Sequence, residues 1–199
     1  MAGGGIGKGR VEAFSDGVLA VIITIMVLEL HPPHEASLAA LHEVLPKFLA
    51  YVLSFVFIGI YWNNHHHLFH SVQHVNGRIL WANNFLLFTL SLVPFTTDWM
   101  GETQYSTIPV VVYGLVLLLA GFGYYFVAHG LARLHGPDSA LAQALGRDLK
   151  GWASPVLYAI GILGAFIHPL VGVAFYVLVA MIWFIPDTRI ERVLGRERG

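Results

Sequence analysis

A carboxylate at the mouth of an apolar helix constrains this chain more than any other feature. Residues 10–30 read RVEAFSDGVLAVIITIMVLEL, with Arg10, Ser15 and Asp16 at one end and little that is polar beyond them. Twenty helical residues span about 30 Å, the hydrocarbon thickness of a bilayer. An ionisable side chain inside such a segment is costly, so it marks a functional or anchoring position. The same helix carries Val21, Ile25 and Leu28 at i, i+4 and i+7, which is one narrow face.

Of the 199 residues, 56% are hydrophobic and only 12% charged. Soluble globular domains carry about 25% charged residues, so this chain belongs to the membrane class. A net charge of −1 gives no electrostatic footprint for nucleic acid. The absence of cysteine excludes disulfides, thiolate metal sites, iron–sulfur clusters and cysteine nucleophiles. The first apolar run ends at Glu29-Leu30-His31-Pro32-Pro33 without a small-x-small cleavage site, so it reads as a retained transmembrane helix rather than a signal peptide.

Six apolar segments follow one another, at about 11–30, 47–72, 78–99, 107–133, 149–167 and 170–185. Pro32-Pro33 and Pro186 stop the first and last, 36–45 reads as a short surface helix, and Pro94 predicts a kink near the end of the third. The expectation is an all-α integral membrane protein of one domain with six transmembrane helices. Ten of the eleven Lys and Arg residues fall on one side of that arrangement, with only Lys47 on the other. The positive-inside rule then places both termini in the cytoplasm of a cell-membrane protein. The opposite face carries Glu29, Glu35, Glu43, Asp98 and Glu102, either a cation-concentrating mouth or an ordinary solvated loop set.

This topology sets Ser15 and Asp16, the run Asn63-Asn64-His65-His66-His67, and Asn83-Asn84 at one depth on three helices. An intramembrane Asp needs partners. The predicted polar network joins Arg10, Ser15 and Asp16 to His65 or His66 and to Asn83 or Asn84, and it either fixes helix geometry around a pathway or is purely structural. At about 100° per residue, Asp16 lies roughly 140° from Val21, while Thr24 lies beside the stripe. Such a stripe commonly faces lipid or packs; the internal carboxylate argues instead for a central position of this helix.

His66, His70 and His74 fall at i, i+4 and i+8 with His67 adjacent, a spacing that suits a metal or haem. No carboxylate stands in ligand spacing and no H-E-x-x-H occurs, so solvated or network histidines are the stronger reading and no metal is assigned. Nucleotide-binding and nucleophile-elbow motifs are absent, as is the T-V-G-Y-G filter. Two other functions stay open on the residues alone: a metal-dependent membrane enzyme built on the His65–His74 cluster, and a proton-coupled transporter using Asp16.

The run Arg10-x-x-x-Phe14-Ser15-Asp16 followed by GVLAVIIT resembles the signature of the transmembrane protein 175 family of potassium channels. Tyr61-Trp62-x-x-His65-His66 and Asn83-Asn84-x-Leu86-Leu87, followed by Pro94-Phe95-x-Thr97, support it, and the resemblance runs from the first helix to Pro186-Asp187. It implies a homotetramer in the lipid bilayer that passes K+ without cofactor or enzymatic step, with the first helices of four subunits lining the pore. It further implies that Val21, Ile25 and Leu28 form an apolar constriction and that Thr24 is a pore threonine bearing on selectivity. Val21 stands where the family more often has Ile or Leu, which implies a looser ring.

Overall fold

The computed structural model describes residues 6–145 and 149–184. Helix α1 runs Gly9–Leu28 and α2 runs Leu38–His70. After α2 come α3 (Gly77–Ser91), α4 (Val93–Glu102), α5 (Thr107–His135), α6 (Ala140–Leu145), α7 (Leu149–Ala165) and α8 (Pro169–Phe184). Two dipeptide strands, β1 (Ile6–Gly7) and β2 (His74–Val75), pair antiparallel and are the departure from an all-helical chain. Among the described residues, four helical stretches are long and apolar enough to cross a membrane: α1, α2, α3 with α4, and α5. Helices α7 and α8 are shorter, at 17 and 16 residues. Pro186-Asp187, Arg147, Arg189, Arg192, Arg196 and Arg198 lie outside the described residues.

The predicted surface helix at 36–45 is instead the first part of α2. Ser37 caps it by accepting the Ala40 N–H at 3.1 Å. Pro46 then sits inside the helix without ending it. The Pro46 carbonyl accepts the Tyr105 hydroxyl at 2.9 Å, which ties the helix at its proline to the segment after α4. At the other end Lys8 Nζ donates to the Phe69 carbonyl at 2.7 Å, a cation on the last-turn carbonyls of α2.

Pro94 does more than kink its segment. The helix breaks at Leu92, and Pro94 lies in the first turn of α4, where a missing N–H costs nothing. Hydroxyls take up the carbonyls around the break, Thr96 bonding Leu92 and Val93 and Thr97 bonding Val93 at 2.7 Å.

Small residues set the closest helix approaches, as membrane packing favours. A Cβ on Gly123 of α5 would stand 2.9 Å from Leu86 Cα of α3. One on Gly101 of α4 would stand 2.7 Å from Lys47 Cα of α2. At that crossing Lys47 pairs with Asp98 at 2.8 Å and Glu102 at 2.6 Å, so two acids of the supposed mouth already have a counter-charge. End-to-end contacts fix alternating directions: Lys8 meets the end of α2, Lys47 the end of α4, and Gln73 the end of α5 through His135.

Candidate functional site

Helix α1 has two unlike faces. Val11, Ser15, Leu19, Ile22 and Met26 are buried at helical spacing against the rest of the chain. On the other side Val21 is 54% exposed, Ile25 42% and Leu28 75%. Thr24 is exposed among them, its hydroxyl donating to the Val21 carbonyl at 2.9 Å.

The buried face is pinned by a polar relay across three helices. The Ser15 hydroxyl donates to the Val11 carbonyl at 2.8 Å. Its oxygen is thereby free to accept Asn83 Nδ2–H from α3 at 3.0 Å. That fixes the amide, and the Asn83 carbonyl faces His65 Nε2 of α2 at 2.9 Å. A carbonyl only accepts, so His65 carries its ring proton on Nε2. The His65 ring stacks on Phe69 one turn on, centroids 4.3 Å apart. Ser15, His65 and Asn83 are all buried, where unmet polar groups would be costly.

Asp16 is not part of this relay. It points outward and accepts the Trp62 indole N–H at 3.1 Å. Trp62 stacks over His66, and His66 over His70, forming an exposed ladder along α2. So Asp16 meets α2 through Trp62 rather than through His65, His66, Asn83 or Asn84. His66 and Asn84 are exposed, as is Arg10, which makes no ion pair among the described residues. The structure therefore brings together Ser15, His65 and Asn83, and leaves Arg10, His66 and Asn84 outside. Trp62 was absent from the predicted network, although its spacing of four from His66 places the two on one face.

A second buried set, also missed, lies farther along the bundle. Thr97 Oγ1 donates to Val93, so it accepts from Ser54 at 2.6 Å, and Ser54 accepts from the Tyr113 hydroxyl at 2.9 Å. Tyr113 of α5, Ser54 of α2 and Thr97 of α4 are thus joined in one directed chain. Thr97 closes the third quoted motif, the one signal that pointed here.

Among the described residues no three His, Asp or Glu side chains converge as metal ligands. His66 and His70 are parallel plates 6.0 Å apart, and His74 turns away to face His135 at 4.8 Å. The arrangement mounts one helix by its buried face and leaves Val21, Thr24, Ile25 and Leu28 bare on the other.

Residues 10–94 match the family model described as "Endosomal/lysosomal potassium channel TMEM175". A protein of Chryseobacterium sp. (strain P1-3) named a potassium channel is 51% identical over 187 residues, 94% of this chain and 97% of that one. A crystal structure titled as a lysosomal potassium-selective channel TMEM175 homolog from Chamaesiphon minutus superposes with a TM-score of 0.80. It is 26% identical and covers 90% of this chain and 97% of its own. The human relative, named an endosomal/lysosomal proton channel, is 39% identical over 80 residues, 34% of this chain and 16% of that protein.

Proposed function

Because this chain belongs to the TMEM175 family, we propose that it is a potassium-selective cation channel, a homotetramer whose four α1 helices line one pathway. The observation that carries this reading is the division of α1 into a face locked by Ser15 and a bare face holding Val21, Thr24, Ile25 and Leu28. One copy of such a helix cannot enclose a path; a ring of copies turns the bare faces toward one another. There the three apolar side chains form a constriction that holds back hydrated ions, and the Thr24 hydroxyl sits at the same face to meet a partly dehydrated one. Ions move passively down their gradient. The names borne by the Chryseobacterium and Chamaesiphon relatives support potassium as the permeant ion.

Six spans complete this reading, with α7 and α8 as a final hairpin joined at His168. Lys8, Arg10, Arg78, Arg133 and Lys150 gather at one end of the bundle by sequence position, which supports cytoplasmic termini in the cell membrane. Ser15, His65 and Asn83 are assigned to holding α1 in place directly and Asp16 through Trp62, whereas Arg10, His66 and Asn84 of the expected network take no part in it.

The test is reconstitution of the whole chain in vesicles with separate K+, Na+ and proton gradients. Flux driven by K+ and exceeding that driven by Na+ supports the reading. Flux that follows only the proton gradient would favour the rival transporter at Asp16 or a proton channel of the kind the human relative's name denotes. Activity that needs a bound metal would return the histidine-based enzyme.

A further inference from the structure

A cavity of about 430 Å³ lies between α2, α5 and α7, away from α1 and its bare face. Its volume falls in the range of small-ligand sites, about 300–1,000 Å³. Phe57, Ile60 and Leu118 are among its lining residues, as are His129 near the end of α5, Leu145 of α6 and Trp152 near the start of α7. Lining residues Phe126, Trp152 and Val156 are strongly exposed, so the cavity opens sideways, where a spanning bundle meets acyl chains.

Two observations specify what fills it. First, from Leu118 to His129 the cavity follows α5 for about 16 Å of helix, and one leaflet of hydrocarbon is roughly 15 Å deep. Second, the α5 stripe that lines the cavity continues one turn past His129 to the exposed Arg133, a cation at the level of the headgroups.

We propose that this cavity is a binding site for one anionic phospholipid per subunit, its acyl chain between α2, α5 and α7 and its phosphate at Arg133. Gly121 is the residue that keeps the site open. A Cβ there would stand 3.9 Å from the Tyr61 hydroxyl and 4.0 Å from Tyr158 Cε2, so alanine fits and a larger side chain enters the space between the two tyrosines.

The whole chain is reconstituted in phosphatidylcholine vesicles with and without phosphatidylglycerol, extracted, and weighed by native mass spectrometry. The expected result is one retained phosphatidylglycerol per subunit, kept in Gly121→Ala and lost in Gly121→Leu. Arg133→Gln should lower its preference over phosphatidylcholine roughly fivefold, the effect of one basic group at a membrane surface. Equal retention in Gly121→Leu, or retention of phosphatidylcholine as strong as phosphatidylglycerol, overturns the proposal. So does an oligomer structure in which a neighbouring copy's helix fills the cavity. If Gly121→Leu fails to assemble, wild-type protein with acyl-brominated lipids decides, because Trp152 and Trp183 both line the cavity. Stronger tryptophan quenching by brominated phosphatidylglycerol than by brominated phosphatidylcholine supports the site; equal quenching overturns it. Neither readout depends on ion flux, so failure here leaves the channel reading standing.

Discussion

Trp62 donates its indole N–H to Asp16 across the α1–α2 contact at 3.1 Å, and it is the one side-chain partner of that carboxylate among the described residues. A hydrogen bond to a charged group contributes about 1.5–3 kcal/mol. Trp62→Phe keeps a ring to stack on His66 and removes the donor. We expect Trp62→Phe and Asp16→Asn each to lower the thermal unfolding midpoint of the detergent-solubilised protein, with a non-additive double mutant. Additivity within about 0.5 kcal/mol would show that the two residues do not touch in the assembled protein.

Asn83 serves two neighbours at once, so its loss is felt twice. In Asn83→Ala, Ser15 loses a donor and buried His65 an acceptor. Interhelical hydrogen bonds in membranes contribute about 1–2 kcal/mol each by peptide studies and nearer 0.6 by double-mutant cycles. The expected loss is therefore about 1–4 kcal/mol, read by unfolding in mixed micelles. Asn84→Ala, one residue on and exposed, should change little. Nitrogen-15 imidazole spectra should show His65 protonated on Nε2 in the wild type, and a mixture of tautomers in Asn83→Ala.

Ser54 is the middle member of the Tyr113–Ser54–Thr97 chain, and all three are buried. Ser54→Ala strands the Tyr113 hydroxyl and should cost about 1–3 kcal/mol. Tyr113→Phe together with Ser54→Ala removes donor and acceptor and should recover part of that loss. A double mutant as unstable as the sum of its parts would mean that the hydroxyls act independently.

The bare face of α1 gives the sharpest functional test. Ile25→Asn or Leu28→Asn should admit water and raise cation leak, and Val21→Ala should do so more mildly. Thr24→Ala should shift the K+ to Na+ preference. Val27 is 45% exposed in one chain, against 42% for Ile25, so exposure alone does not separate them. Their azimuths do: Val27 lies about 120° from Val21 around the helix, and Ile25 about 40°. Equal leak from folded Val27→Asn and Ile25→Asn would mean that a different face lines the path.

Depth along the membrane was legible in the sequence and azimuth less so. Alternating spans set Ser15, His65 and Asn83 at one level, and these three meet. Residues next to each other share a depth but point about 100° apart. Hence Asn84 faces out where Asn83 faces in, and Asp16 reaches Trp62 while Ser15 reaches Asn83. The continuity of α2 through Pro46 was not legible, because the Tyr105 hydroxyl that supports it comes from 59 residues away. Strands of two residues, such as Ile6–Gly7, are too short to carry an alternation. The buried set at Ser54 was hidden because a single serine in an apolar helix gives no periodic signal.

Among the described residues, the side-chain hydrogen bonds that tie α1 to other helices all lie between Lys8 and Asp16; farther along, α1 is held by apolar packing at Leu19, Ile22 and Met26. Hydrogen bonds hold an orientation, whereas apolar contacts permit sliding. Leu28 sits about 20 Å along the helix from Ser15. In the proposed tetramer, a tilt of about 5° about Ser15 would carry that tip through roughly 1.7 Å while the relay stays intact.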